Sequence, residues 1–187
     1  MMKRFFDLFL CLVALIIFII PIILIAIIIR FTAPGPILFW ANRYGMKNQI
    51  FKMPKFRTML ISTPIVASDL LINSHDFLTP VGGFLRKWSL DELPQLWSVF
   101  KGDMSFVGPR PALYNQFDLI RLRTDQGISD LLPGITGWAQ VNGRDELDLL
   151  QKVAYDREYL MRKSLFFDCY ILCLTVIKVF WRAGISH

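Results

Sequence analysis

Two adjacent carboxylates, Asp91 and Glu92, are the residues of this sequence best suited to chemistry. Proline is tolerated in the first turn of a helix, so Pro94 predicts a helix that begins near it and ends at Gly102. Neighbouring residues point in different directions on a helix or strand, which favours separate roles, such as nucleophile and metal ligand, over a shared proton. The alternative is a capping box formed by Ser89 and Glu92 at the start of the helix.

Basic residues are placed where they could meet these acids. Arg86 lies five positions before Asp91, and Arg110 is carried by a stiff turn of glycine and prolines. Arginine binds phosphate through two parallel hydrogen bonds, which suits a diphosphate. Lys55 and Arg57 alternate along a predicted strand, so they either bind phosphate together or form a solvated strand face. The candidate phosphate-binding residues are Lys55, Arg57, Arg86, Pro109, Arg110 and Arg144.

The composition indicates a partner that is both apolar and anionic. The 187 residues carry a formal net charge of +6, are 54% hydrophobic and have a mean hydropathy of +0.44. Acidic lipid headgroups and phosphate-bearing substrates fit this balance. The basic residues are dispersed and no nucleic-acid-binding motif is present, which argues against a nucleic-acid partner.

The histidines and cysteines do not indicate a metal site. With only two histidines, a metal site or catalytic triad built on histidine is not expected. The three cysteines lack the spacing of a zinc site, so they predict buried free thiols in a reducing cytosol.

The N-terminal region predicts a helix that enters a membrane. Leu8 to Ile29 is free of charge and long enough to cross a bilayer. Pro21 lies near its middle, and basic residues stand on both sides, with Lys3 and Arg4 before it and Arg30 after it. The positive-inside bias then favours the cytoplasmic side for both ends, as in a re-entrant helix, while length alone favours a straight span. The residues themselves leave both topologies open.

The remaining chain predicts an α+β fold that is mostly helical. Short apolar pieces around Tyr44 to Asn48 indicate a strand pair, which would form a β-hairpin. Asp145 to Arg162 and Ser164 to Arg182 indicate two helices. The second is rich in aromatic and basic residues, as in a helix lying at a membrane interface, although an ordinary core helix fits equally. We therefore divide the chain into a membrane element, 1–31, and a second domain, 32–187.

Several short motifs, in one order, carry a family resemblance. They are KFRTM at 55–59, SLDELPQL at 89–96, KGDMS at 101–105 running into VGPRP at 107–111, PGITG at 133–137, QVNGR at 140–144, and Tyr155-Asp156 with Tyr159. The resemblance that they carry extends, in order and spacing, from Lys3 to about Ser186. The sequence resembles the bacterial sugar transferase family, small monotopic phosphoglycosyl transferases that start glycan assembly on polyprenol phosphate.

The resemblance implies transfer of a phospho-sugar from a UDP-sugar to undecaprenyl phosphate, with release of UMP. It implies that Asp91 attacks the β-phosphate to form a covalent intermediate, that Glu92 helps to hold Mg²⁺, and that arginines hold phosphate, namely Arg86, Arg110 and Arg144. It also implies a small cytosolic catalytic domain with interfacial amphipathic helices at the cytoplasmic face of the bacterial inner membrane. The N-terminal segment would be a re-entrant helix broken at Pro21, with both ends in the cytoplasm.

Two positions depart from the family pattern. The family often has serine before the helix-breaking proline, where this chain has Ile20, and a basic residue where it has Leu132. A catalytically silent membrane scaffold and a diphosphate hydrolase are the competing functions. No residue in the sequence distinguishes glucose, galactose or an N-acetylated amino sugar, and a homodimer stays open.

Overall fold

A single long helix, α1 (Met2–Thr32), opens the fold. The computed structural model describes residues 2–63, 77–143 and 146–181. Within those residues α1 is the one helix long and apolar enough to cross a membrane, and its 31 residues rise about 46 Å. The helix continues through Pro21 without a non-helical residue. The expected break is therefore not an interruption of the helix, and a bend of its axis at Pro21 stays a prediction.

The other elements are short, apart from two helices at the C-terminal end. The strands are β1 (Leu38–Tyr44), β2 (Ile50–Phe56), β3 (Ser105–Val107), β4 (Ala112–Leu113) and β5 (Gly134–Thr136). The helices are α2 (Gly82–Lys87), α3 (Leu96–Lys101), α4 (Phe117–Asp125), α5 (Trp138–Val141), α6 (Leu149–Arg162) and α7 (Leu165–Trp181). Among the described residues, 3₁₀ segments lie between these elements at Met46–Asn48, Leu90–Gln95 and Ile128–Asp130. The fold is thus mostly helical with a few strands, as the sequence predicts.

The β1–β2 hairpin confirms the strand pair predicted around Tyr44 to Asn48. β1 pairs antiparallel with β2 along its whole length, from Leu38 opposite Phe56 to Tyr44 opposite Ile50, and with β4 on its other edge. β3 and β5 form a separate parallel pair. The hairpin turn is tight because two consecutive residues, Lys47 and Asn48, adopt positive φ angles of 55° and 57°. The hairpin is the layer that covers the 3₁₀ segment Leu90–Gln95.

The N-terminal end of α1 is bound to the rest of the protein through polar side chains. Lys3 Nζ lies 2.6 Å from Asp168 Oδ2. Arg4 donates hydrogen bonds to the carbonyls of Val99 and Phe100, at 2.6 Å each. Asp7 Oδ1 accepts hydrogen bonds from Ser105 Oγ at 3.0 Å and from the Phe106 amide at 3.1 Å. Asp7 and Asp168 are both buried. A buried charge is stable only when it is paired or hydrogen-bonded, so these contacts fix the helix end in one place.

The C-terminal end of α1 is bound to the same body of protein by apolar packing. Ile25 and Ile29 are buried against Phe56 of β2 and Leu85 of α2. Between the two bound ends, α1 exposes large apolar side chains: Leu12, Ile16, Ile17, Ile19, Ile20, Ile23 and Leu24 are each at least 45% exposed. An apolar surface of this extent is not stable in water and is suited to lipid. The helix therefore combines two ends on one body with an apolar middle.

α7 divides its residues between core and surface. Phe167 and Ile171 are buried, whereas Phe166, Tyr170, Val176 and Ile177 form an exposed stripe at helical spacing. The stripe also contains Cys169 and Cys173, both exposed, while Cys11 is buried. The expectation of buried thiols is thus wrong for two of the three cysteines. It failed because apolar neighbours in sequence do not show which face of a helix the core takes.

Candidate active site

The acidic pair lies in the 3₁₀ segment Leu90–Gln95, directly before α3. Ser89 enters this segment with a left-handed backbone, φ 53°, which is unfavourable for a residue with a side chain. Its side chain makes no cap, and the Glu92 amide instead donates to the Ser89 carbonyl at 3.2 Å. The capping-box alternative is therefore wrong, and the Glu92 side chain is committed to other partners.

α3 places the apolar residues that follow. It begins at Leu96, two residues later than the predicted start, and ends at Gly102 as predicted, with a φ of 99°. Leu96 and Val99 are buried, but Phe100 is 54% exposed and stacks on Trp97 at a centroid distance of 5.9 Å. Phe100 thus lies outside the core, because the six-residue helix buries only one narrow face.

Lys55 of β2 joins the two carboxylates. Its Nζ atom lies 2.8 Å from Glu92 Oε1 and 3.7 Å from Asp91 Oδ2. Lys55 reaches them because β2 packs directly against the 3₁₀ segment. The side chains of the three residues are at most 17% exposed, so their charges interact with little screening by solvent. The structure thus brings Lys55 to the site as predicted.

Arg110 is the second cation that pairs with Glu92. Its Nη2 atom lies 3.2 Å from Glu92 Oε1. Arg110 belongs to the loop 108–111, and the carbonyl of Pro109, a buried residue of that loop, accepts a hydrogen bond from the Gly134 amide at 2.9 Å. Proline fixes φ on both sides of Arg110, so the backbone that carries the guanidinium is stiff. Glu92 therefore pairs with two cations that come from different elements.

Burial dominates the electrostatics of Asp91. Loss of solvent raises the pKa of its carboxyl, and the neighbouring charge of Glu92 raises it further. The cations Lys55, Arg110 and Arg86 act in the opposite direction and lower the pKa. Glu92 makes the closer contacts with the cations, and separate roles for Asp91 and Glu92 stay a prediction. Arg86 is near enough to act on Asp91, as its spacing in the sequence predicts.

One of the predicted residues, Arg57, does not join the cluster. Arg57 is buried and donates to the Ala33 carbonyl at 2.8 Å, so it lies against the end of α1. It is absent from the charges that shift the pKa of Asp91. The expectation that Lys55 and Arg57 act together from one strand face is therefore not met, because β2 ends at Phe56. Arg144 lies outside the described residues.

The sequence reasoning missed the two residues that hold Arg110 in place. Arg123 of α4 donates to the Arg110 carbonyl at 2.8 Å. Its Nε and Nη2 atoms also donate to Asp156 Oδ2 of α6, at 2.9 and 2.6 Å. Asp156 and Arg123 are both buried. Asp156 stands in one of the family motifs, but no local pattern shows that its partner is 33 residues away.

Arg43 of β1 is a further missed residue. Its guanidinium interacts with the charges of Arg110 and Glu92, and its Nη1 atom lies 3.5 Å from the Pro111 carbonyl. Its orientation follows from the hairpin register, which puts the side chains of Arg43 and Lys55 on one face and which the sequence alone does not give.

The donor set fits Mg²⁺, the ion that the family resemblance implies. Across residues 2–63, 77–143 and 146–181, no three His, Cys, Asp or Glu side chains gather as a metal cage. Mg²⁺ is usually bound by one or two carboxylates and completes its shell with water and substrate phosphate oxygens. Glu92, with Asp91 beside it, supplies such a partial set of hard oxygen donors.

Comparison with known proteins agrees with the geometry. The family model described as bacterial sugar transferase matches residues 1–182. The chain is 40% identical over 163 residues to the UDP-glucose:undecaprenyl-phosphate glucose-1-phosphate transferase of Escherichia coli, a match covering 83% of this chain and 35% of that relative. The chain thus spans about a third of the length of that relative.

Two shorter relatives match over most of their own length. The sugar transferase EpsL of Bacillus subtilis is 38% identical over 188 residues, which covers 100% of this chain and 91% of EpsL. The exopolysaccharide production protein ExoY of Rhizobium meliloti is 35% identical, covering 98% of this chain and 88% of ExoY. The motifs around the acidic pair, the extent of the family match and these relatives lead to one conclusion: the chain belongs to the bacterial sugar transferase family.

Proposed function

We propose that this protein is a phosphoglycosyl transferase that moves a sugar-1-phosphate from a UDP-sugar to undecaprenyl phosphate and releases UMP. This would be the first membrane step in the assembly of a bacterial glycan such as an O-antigen, capsule, exopolysaccharide or glycoprotein glycan. The observation that carries the proposal is the cluster of Asp91, Glu92, Lys55 and Arg110 in a chain of this family. Relatives named as undecaprenyl-phosphate glucose-1-phosphate transferases support the substrate class.

Asp91 is the proposed nucleophile. Its carboxylate attacks the β-phosphorus of the UDP-sugar, the bond to the bridging oxygen breaks, and UMP leaves with that oxygen. The sugar-phosphate then stands on Asp91 as an acyl phosphate. A phosphate oxygen of undecaprenyl phosphate attacks the same phosphorus and restores the carboxylate. A covalent intermediate lets a water-soluble donor and a membrane-bound acceptor use one site in turn.

The cations are proposed to neutralise the negative charge that develops on the transferred phosphoryl group. Phosphoryl transfer needs positioning and charge neutralisation more than proton transfer. Lys55 and Arg110 are already held on Glu92, and Arg86 is near Asp91. These side chains are therefore placed before substrate arrives, and Arg144 is proposed to join them. Bound Mg²⁺, held by Glu92, would supply further positive charge to the phosphate oxygens.

The protein is proposed to sit on the cytoplasmic face of the inner membrane, with 1–31 as a re-entrant helix and 32–187 as the catalytic domain. Both ends of α1 contact the same body of protein, through Lys3 and Asp7 at one end and Ile25 and Ile29 at the other. A straight span would separate its ends by the hydrocarbon core, about 30 Å thick. The bound ends therefore favour entry and exit through one leaflet, with α7 lying at the interface.

This topology predicts that residue 2 is inaccessible from outside the cell. Met2→Cys, in a protein whose three cysteines are replaced by serine, is expected to react with a membrane-impermeant thiol reagent only after the cells are permeabilised. Ile17→Cys, in the exposed apolar middle of α1, serves as the matched control and is expected to stay unlabelled in both conditions. Labelling of residue 2 in intact cells would refute the re-entrant helix.

The proposed activity predicts UMP release that depends on lipid. The membrane-embedded protein is incubated with Mg²⁺, undecaprenyl phosphate and one UDP-sugar at a time, with glucose, galactose and N-acetylated amino sugars in the panel. We expect UMP from at least one donor, and its loss when the lipid is omitted or the metal is chelated. If no donor gives lipid-dependent UMP, the transferase assignment fails. Continued nucleotide release without lipid would indicate a hydrolase instead.

A further inference from the structure

Arg43 lies on the face of the hairpin that covers the acidic pair. In the β1–β2 register Phe39 stands opposite Lys55 and Ala41 opposite Met53, and Arg43 continues the same alternation. Residues directly opposite one another, and residues two apart, share one face of a sheet. The packing agrees, since Ala41 and Met53 are buried against Leu96 and Val99 of α3. Arg43 and Lys55 therefore project from one face towards one site.

The guanidinium of Arg43 is incompletely satisfied. Its Nε atom is buried and has no hydrogen-bond partner. Its Nη1 atom lies 3.5 Å from the Pro111 carbonyl, at the long limit for a hydrogen bond. Burying a polar donor without a partner costs free energy, more so when the group is charged. A residue with only a structural role would gain little from a guanidinium in this position.

The charges around Arg43 favour the binding of an anion. Burial, and after it the charge of Arg110, lower the pKa of Arg43 to about 10, although Glu92 acts in the opposite direction. Among the described residues of the site, four cations accompany two carboxylates, an excess of two positive charges. The cations are Lys55, Arg86, Arg110 and Arg43, and the carboxylates are Asp91 and Glu92. A phosphate group between Arg43 and Arg110 would balance the excess and satisfy the free donor.

We propose that Arg43 is a phosphate-binding residue of the active site, which together with Arg110 holds a phosphate of the nucleotide donor or of the lipid acceptor. The proposal rests on the proposed function for the identity of these two substrates. The hydrogen-bonding chemistry is the same for both, and the two half-reactions distinguish them. Loss of adduct formation from the UDP-sugar alone assigns Arg43 to the donor. Normal adduct formation with slow transfer to undecaprenyl phosphate assigns it to the acceptor.

The first test compares Arg43→Met with the wild type in thermal unfolding, using UDP and undecaprenyl phosphate, each alone, as probes. Methionine keeps the unbranched stem of the side chain and removes the charged guanidinium. We expect an unfolding temperature without ligand that equals or exceeds that of the wild type, because replacing a poorly paired buried charge by an apolar group is often neutral or stabilising. We also expect Arg43→Met to lose the stabilisation given by one probe. These measurements require no turnover, so they stand even if the proposed transfer fails.

The second test measures both half-reactions with a UDP-sugar that the wild type uses. Losing a charge-assisted hydrogen bond is expected to weaken substrate binding about tenfold to a hundredfold in one half-reaction. Lys52→Ala is the matched control, because it removes one positive charge from the same hairpin at an exposed position opposite Asn42. It should leave both half-reactions unchanged.

The proposal is overturned if Arg43→Met lowers the unfolding temperature without ligand and keeps both probe-induced shifts, since Arg43 would then only support the fold. It is also overturned if Lys52→Ala weakens binding as much as Arg43→Met does, because the effect would then be one of net charge. If Arg43→Met does not fold, Arg43→Lys decides. Lysine keeps the charge and loses the planar fork, so a tenfold loss in one half-reaction supports the proposal and wild-type behaviour overturns it.

Discussion

Replacing Asp91 with Asn is expected to abolish the covalent phosphosugar adduct and to reduce UMP release by at least roughly a thousandfold, because the amide cannot serve as the nucleophile. The adduct is measured by mass spectrometry of the intact protein after incubation with the UDP-sugar and without lipid. Asp103→Asn is the control, since Asp103 forms a surface ion pair with Lys101 at 2.8 Å and takes no part in the site. An undiminished adduct in Asp91→Asn would place the nucleophile elsewhere.

The same substitution is expected to stabilise the fold at neutral pH. Burial raises the pKa of the Asp91 carboxyl above its ordinary value, so the folded state binds this proton more tightly than the unfolded chain does. The stabilising contribution is complete below the unfolded pKa, about 3.9, and is lost as the pH rises through the folded pKa. At pH 7 the ionised carboxylate therefore costs stability, and asparagine removes that cost.

Thermal unfolding without Mg²⁺ or substrate measures this effect. The unfolding temperature of Asp91→Asn should exceed that of the wild type at pH 7, and the difference should shrink as the pH falls. A lower unfolding temperature for Asp91→Asn at pH 7 would mean that the contact with Lys55 outweighs burial. Catalytic groups are often held at the expense of stability, so loss of activity together with a gain in stability is the expected pattern.

The acidic pair, the hairpin and the apolar helix were predictable from sequence because their signals are local. Pro94 and Gly102 mark the ends of the segment that follows Asp91, and 22 uncharged residues indicate a membrane helix. The side chains that meet in the site were not predictable in the same way. Arg43 faces the site because of the seven-residue register of the hairpin, and Arg57 does not face it because β2 ends at Phe56.

Burial was the least predictable property, because it depends on which other element covers a residue. Phe100 and Cys173 have apolar neighbours in sequence and yet lie on exposed faces. Arg123 is a charged residue on a helix, a type usually exposed to solvent, and yet it is buried and hydrogen-bonded to Asp156, 33 residues later in the chain. Pairings of this kind follow from how α4 and α6 pack, and no spacing within either helix reveals them.

Replacing Arg123 is expected to lower the stability of the fold strongly. Arg123→Met would leave the Asp156 carboxylate, 1% exposed, without its cation. Breaking a buried ion pair by removing one partner costs about 3–5 kcal/mol. For a chain of this size each kcal/mol corresponds to a shift of about 2–4 °C, so the unfolding temperature should fall by roughly 10 °C. Arg121→Met, at an exposed position on α4, is the control and should change little.

A double variant separates the stabilising role of this pair from its role in positioning Arg110. Arg123→Met with Asp156→Leu removes both charges, so much of the lost stability should return. Activity should not return with it, because the Arg110 carbonyl has lost the hydrogen bond from Arg123 at 2.8 Å that fixes its loop. A misplaced Arg110 weakens its contact with Glu92 and with the substrate phosphate. If the double variant regains both stability and activity, the pair only holds α4 to α6, and Arg110 is positioned by its own prolines.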